Sequence, residues 1–171
     1  MPWKTSFKAT RQCLHEIRNI FGMIRILFAL FCLLLSNSSL LAKTLVNVDR
    51  SGVGVRGYDP VAYFTDGKAE KGFPQFSSTA DGVTYLFTSA DHKAAYDANP
   101  SKYEPRFGGY CAYGVSRGSL VEIDPSAFQI VNGELLLQYS KGIMVKFNKD
   151  AAANLQKADQ NWPTLLEKKG K

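Results

Sequence analysis

The chain has 171 residues, 45% of them hydrophobic, with 21 Lys and Arg against 15 Asp and Glu and a formal charge of +6. That apolar content excludes a disordered chain, and the length holds one domain of ordinary size plus an appendage. Residues 1–42 carry five of the bases and one of the acids. Sixteen bases then face fourteen acids in the remainder, and no basic stripe or motif is left to favour a nucleic-acid partner.

The appendage comes first. Residues 24–35 read Ile-Arg-Ile-Leu-Phe-Ala-Leu-Phe-Cys-Leu-Leu-Leu, preceded by basic residues and followed by Ser36-Asn37-Ser38-Ser39-Leu40-Leu41-Ala42. A charged start, an apolar centre and small residues before a cut after Ala42 are the parts of a secretory signal, and the apolar run is too short for a membrane span. Residues 1–42 are therefore expected to be an export signal, beginning at Met1 or at Met23. The alternative is an uncleaved amphipathic anchor. The expected location is periplasmic or secreted, with no stable membrane span after cleavage. Cleavage removes Cys13 and Cys32 and leaves Cys111 as the only thiol, so no internal disulfide can form and stability rests on the core.

Residues 43–54 read as a flexible lead-in, with Val46 and Val48 in strand-like alternation. Gly52, Gly54 and Gly57 have the spacing of a dinucleotide fingerprint. The apolar run Val61-Ala62-Tyr63-Phe64 ends at Asp66-Gly67, however, which leaves no crossover helix for that motif. Asp59-Pro60 combines an Asx cap with a proline at the first helical position and predicts a turn or two of helix over 60–65. Asp81-Gly82 before Val83-Thr84-Tyr85-Leu86-Phe87 predicts a hairpin. Thr88-Ser89-Ala90-Asp91 resembles a capping box and predicts a helix to about Asn99, ended by Pro100. His92, Ala95, Tyr96 and Asn99 share one face of it.

The segment Phe107-Gly108-Gly109-Tyr110-Cys111-Ala112-Tyr113-Gly114-Val115-Ser116-Arg117-Gly118 is unlike ordinary core sequence. Its four glycines are poor material for a helix or strand and suit a backbone that turns sharply or comes close to something. Cys111 lies in that path, with Arg106 and Arg117 bracketing it. Beyond it, Leu120-Val121-Glu122-Ile123 reads as a strand and Asp124-Pro125-Ser126-Ala127 as a turn. Asn132-Gly133 joins two apolar runs as a two-residue hairpin. Residues 143–147 fit either a strand or the approach to a last helix. That helix starts near Asn148 or Asp150, carries Ala151, Leu155, Ala158 and Trp162 on one stripe, and stops at Pro163. The expected fold class is α+β: a small antiparallel sheet built from hairpins, with flanking helices, in a single domain over 55–167 and a basic tail at 168–171.

Four ordered motifs resemble the YHS domain in its long, exported bacterial form: Gly57-Tyr58-Asp59-Pro60-Val61-Ala62-Tyr63-Phe64, Tyr85-Leu86-Phe87-Thr88-Ser89, Asn99-Pro100-Ser101-Lys102-Tyr103-Glu104-Pro105 and Gly108-Gly109-Tyr110-Cys111-Ala112. Short YHS domains accompany heavy-metal and copper transporters, and the resemblance implies metal binding through cysteines. At the corresponding positions this chain has Ala62, Thr88 and His92. The thiolate set is absent, and soft metals such as Cu(I) favour thiolate donors.

Three functional readings follow. In the first, the domain binds a transition metal such as copper, or a metal-containing ligand, through Cys111 and His92, with Tyr58, Tyr110, Arg106 and Arg117 as ligand-contacting residues. In the second, it is a thiol enzyme with Cys111 as nucleophile or redox centre, His92 as base and Arg106 or Arg117 as the activating cation. In the third, Cys111 is an inert core residue of a structural or interaction domain. The candidate partners are a small ligand, a metal or an envelope protein. The sequence has no CxxC, Walker loop, HExxH or nucleophile elbow, and the balance lies with a non-catalytic binding protein.

Overall fold

Ten short elements follow one another in a computed structural model that describes residues 44–170, so the expected export signal lies outside the described residues. They are α1 (Ala62–Thr65), β1 (Phe73–Ala80), β2 (Val83–Phe87), α2 (Ala90–Ala98), α3 (Pro100–Tyr103), α4 (Ala112–Ser116), β3 (Asp124–Val131), β4 (Glu134–Gln138), α5 (Lys141–Asn148) and α6 (Ala151–Lys169). Turns of 3-10 hydrogen bonding at Val55–Gly57 and Arg106–Gly109 complete the set. The fold class is α+β. The strands form two separate antiparallel hairpins rather than one sheet, β1 with β2 and β3 with β4.

Both hairpins turn where their dipeptides place them. Ala80 pairs with Val83 across Asp81-Gly82, and Val131 with Glu134 across Asn132-Gly133. All four turn residues have positive φ, the conformation a two-residue hairpin requires. On β2, Val83, Tyr85 and Phe87 alternate inward, and Tyr85 and Phe87 each lie 5.1 Å from the ring of Tyr96 on α2. β4 does not alternate. Leu135 and Leu137 join a first core cluster with Val61, Tyr63, Tyr96 and Cys111, while Leu136 joins a second with Phe107, Val115, Phe147 and Ala158. A strand packed on both faces reads as a continuous apolar run, which is why Leu-Leu-Leu follows Glu134.

Several local expectations change. Leu120-Val121-Glu122-Ile123 pairs with no strand, because β4 takes its partners from Asp124 onward. The expected turn at 124–127 is absorbed into β3 as an irregularity between Asp124 and Phe128, where the Asp124 carboxylate accepts from the Ser126 N–H and hydroxyl. Residues 143–147 are helical, since the Ser140 hydroxyl caps α5 by accepting from the Ile143 N–H. Pro100 ends α2 but also opens α3 at its first position. Pro163 does not stop α6, which runs on to Lys169 with Trp162 and Leu165 packed in the second cluster on either side of the proline. Residues 44–54, expected as a flexible lead-in, are bonded to the domain: the Asn47 N–H donates to the Gly108 carbonyl at 2.8 Å and the Gly54 N–H to the Thr84 carbonyl at 2.9 Å.

Candidate functional site

Three elements meet at the Asp59 side chain, which has no solvent exposure. Its position follows from the local chain. Asp59-Pro60 opens α1, and Oδ1 accepts from the N–H groups of Val61 at 2.8 Å and Ala62 at 3.3 Å, donors left free by the helix start. Oδ2 accepts from the Thr88 N–H and the Thr88 hydroxyl, each at 2.7 Å, and from His92 Nδ1 at 2.7 Å. One buried carboxylate thus ties the start of α1 to the end of β2 and the first turn of α2. Burial on this scale is tolerable only because every lone pair finds a donor.

His92 is held twice. Its backbone N–H donates to the capping Ser89 hydroxyl at 3.1 Å, and its ring is fixed by Asp59. Because Nδ1 faces a carboxylate, it carries a proton and donates it to Asp59. The side chain is 17% exposed, with Nε2 3.4 Å from the Thr65 hydroxyl and 3.9 Å from an Asp66 carboxylate oxygen. The positions that the family resemblance gives to cysteine, Ala62, Thr88 and His92, are all bonded to the same Asp59 carboxylate.

Cys111 belongs to a different set of contacts. It is 1% exposed and precedes α4, where its sulfur accepts from the Gly114 N–H at 3.5 Å and lies 3.3 Å from Gln138 Oε1. That same oxygen accepts from the Tyr113 N–H at 3.1 Å, so the amide is oriented with its carbonyl toward the sulfur and the thiol must donate its proton. The Gln138 Nε2 group is buried without an acceptor. Cys111 and His92 have no hydrogen-bond partner in common, and no cluster of three or more His, Cys, Asp or Glu among the described residues is placed to hold a metal ion.

The glycines around Cys111 bring the backbone close to the chain itself. Gly108 has φ +57, and a Cβ there would stand 1.9 Å from the Leu45 carbonyl oxygen. Gly114 sits inside α4, where a Cβ would meet Val121 at 2.7 Å.

The remaining candidates are dispersed. Arg106 pairs with Glu134 and Asp159 and lies over the Phe107 ring, linking the second hairpin to α6. Arg117 donates to the Tyr113 hydroxyl at 2.9 Å, a bond that lowers the pKa of that phenol below its ordinary value. Tyr58 is half-buried, with the Lys71 ammonium 4.9 Å from its ring centre. Tyr110 lines a cavity of about 530 Å³ with Leu45, Asn47, Asp81 and Glu122; burial, and then Glu122, raise its phenol pKa. These four do not converge on one point with Cys111 or His92 through any shared bond.

The sequence identified Asp59 as a helix cap and not as the anchor of His92. Only the return of β2 and α2 to the α1 start supplies the second role. Gln138 carried no signal at all, standing at the end of a leucine run. Compared with family models, curated proteins and solved structures, the chain has no match.

Proposed function

We propose that the chain is an exported, non-catalytic binding domain of the YHS type, in which Cys111 is part of the core. The observation that carries this reading is the state of the sulfur: 1% exposed, its S–H committed to Gln138. A nucleophilic or metal-binding cysteine needs the thiolate and access, and here loss of the proton would set a sulfur anion against a carbonyl oxygen. The resemblance implies a soft metal on thiolates, and the residues do not fit one: Ala62 and Thr88 have no sulfur, and Cys111 has other partners. What supports the YHS reading is the convergence of Ala62, Thr88 and His92 on one carboxylate. The positions remain together while hydrogen bonds stand where thiolates are implied.

One experiment tests export and thiol role together. The protein is recovered from the periplasm or medium, its N-terminus is read, and Cys111 is labelled with a disulfide reagent before and after denaturation. The expected result is a chain beginning at Lys43 whose thiol reacts only when unfolded. A thiol that reacts in the native state at the rate of a free cysteine overturns the core assignment, and a chain retained in the cell with residues 1–42 overturns export.

A further inference from the structure

The two most exposed large apolar side chains among the described residues stand close together in the sequence: Val145 on α5, at 61%, and Tyr139 just before the Ser140 cap of that helix, at 57%. A single surface valine needs no explanation. What surrounds these two is less ordinary. Helix α5 buries Phe147 in the second core cluster and packs Ile143 against the first, so its opposite face is turned outward. On that face Lys141, Val145 and Lys149 follow one another at four-residue spacing with Lys146 beside them, and all four are exposed.

Helix α4 lies against α5 and extends the same positive surface. The Tyr113 ring packs against both core clusters, and at its hydroxyl Arg117 donates a bond while lying 5.1 Å from the ring centre. That bond is the main cause of the lowered Tyr113 pKa, and the charges of Arg117, Lys146 and Lys149 add to it, so the two lysines of α5 gather around the same phenol as Arg117. Among the described residues no carboxylate pairs with Arg117, Lys141, Lys146 or Lys149, whereas Arg56, Lys68, Lys93 and Arg106 all have acidic partners. The acid at the edge of the patch is Asp150, whose carboxylate caps α6 by accepting from the Ala153 N–H. A count along the chain does not reveal the patch, because its cations come from two helices separated by a hairpin and meet only in the fold.

We propose that the outer face of α5, together with Arg117, is a docking surface for an anionic lipid bilayer, on which the domain rests without spanning it. Charge complementarity selects the occupant: four cations without acidic partners are drawn to a negatively charged plane. The apolar side chains select a bilayer over a soluble polyanion. A tyrosine and a valine set among lysines can enter the boundary between headgroups and acyl chains while the ammonium groups stay at the surface. A polyanion in solution would engage the lysines and leave Val145 in water. With one short helix and two apolar side chains, the contact is weak, reversible and screened by salt. The surface shares no residue with the Asp59 cluster and leaves Cys111 in the core, so it and the proposed function can fail independently.

The test uses the full chain carrying Val145→Trp, an exposed change that sets a reporter ring on the surface. It is mixed with vesicles of phosphatidylcholine alone, or of phosphatidylcholine with phosphatidylglycerol, whose acyl chains are brominated so that they quench an indole on contact. Wild type measured in parallel corrects for the indoles already in the chain. The added indole is expected to be quenched by the phosphatidylglycerol vesicles and not by phosphatidylcholine alone, and to recover as salt is raised. Lys146→Glu combined with Lys149→Glu is expected to weaken this binding about tenfold or more, since each basic side chain near an anionic surface contributes about fivefold. Absent quenching, equal quenching on neutral vesicles, or quenching that survives the charge reversal overturns the proposal. Binding to soluble polyglutamate without quenching by either vesicle also overturns it and assigns the patch to a polyanion.

Discussion

At Asp59, five donors converge on two oxygens that water does not reach. Removing such an acceptor does not return its donors to solvent; it leaves them buried and unpaired, which costs more than the bonds themselves contribute. Asp59→Ala is therefore expected to destabilise the domain by about 3–5 kcal/mol, the range for breaking a buried polar pair from one side. Thr88→Ala, which removes only one of the five donors, should cost about 1 kcal/mol. Urea denaturation of both variants checks the ratio, and equal losses would mean that the cluster is not organised by the carboxylate. Half of this arrangement was legible beforehand. Asp before Pro announces a cap, because the cap acts over three residues, whereas bonds to Thr88 and His92 span 29 and 33 positions and leave no local pattern.

Among the elements, α6 departs furthest from its sequence. A proline inside a helix removes one backbone bond and presses its ring on the carbonyl four residues back, at a cost of about 3 kcal/mol in a helix interior. Here Trp162 meets the Phe107 ring edge-on at 5.8 Å and Leu165 packs in the same cluster. Burial on both sides of the proline carries the helix through. Pro163→Ala is accordingly expected to stabilise the protein by about 1–3 kcal/mol, read as a rise in thermal midpoint, and a fall would show that the proline ring itself supports the packing of α6. The glycine-rich segment departs for a related reason. Gly114 is a helical residue because Val121 occupies the space of its missing side chain, a contact made by tertiary packing. The hairpin turns, by contrast, depended on two adjacent residues each and were legible from them.

Across the molecule, the first core cluster encloses phenols that resist ionisation. Burial is the main cause for both Tyr85 and Tyr96, raising each well above the ordinary value of 10.0; Glu104 adds to both and accepts the Tyr96 hydroxyl at 2.9 Å. The sign of the linkage follows directly. The folded pKa exceeds the unfolded one, so the stabilisation is complete below pH 10 and is lost as pH rises past it, because only the unfolded chain then releases these protons. The expected outcome is a thermal midpoint that falls steeply above pH 10, with tyrosinate absorbance appearing in step with unfolding. Tyr113 should ionise first and without unfolding, since Arg117 lowers its pKa. Gradual ionisation of every tyrosine in the native state would contradict the enclosed core.

Sequence alone determined the α+β class, the two hairpin turns, the apolar stripe of α6 and the capping role of Asp59, each set by backbone preference or periodicity within a few residues. Tertiary structure decided that the leucines of β4 are buried on both faces, that α6 continues beyond Pro163, and that His92 answers to Asp59 while Cys111 answers to Gln138. Those outcomes depend on which distant groups share a volume from which water is excluded, and in such a volume unpaired polar atoms and unfilled space are both costly.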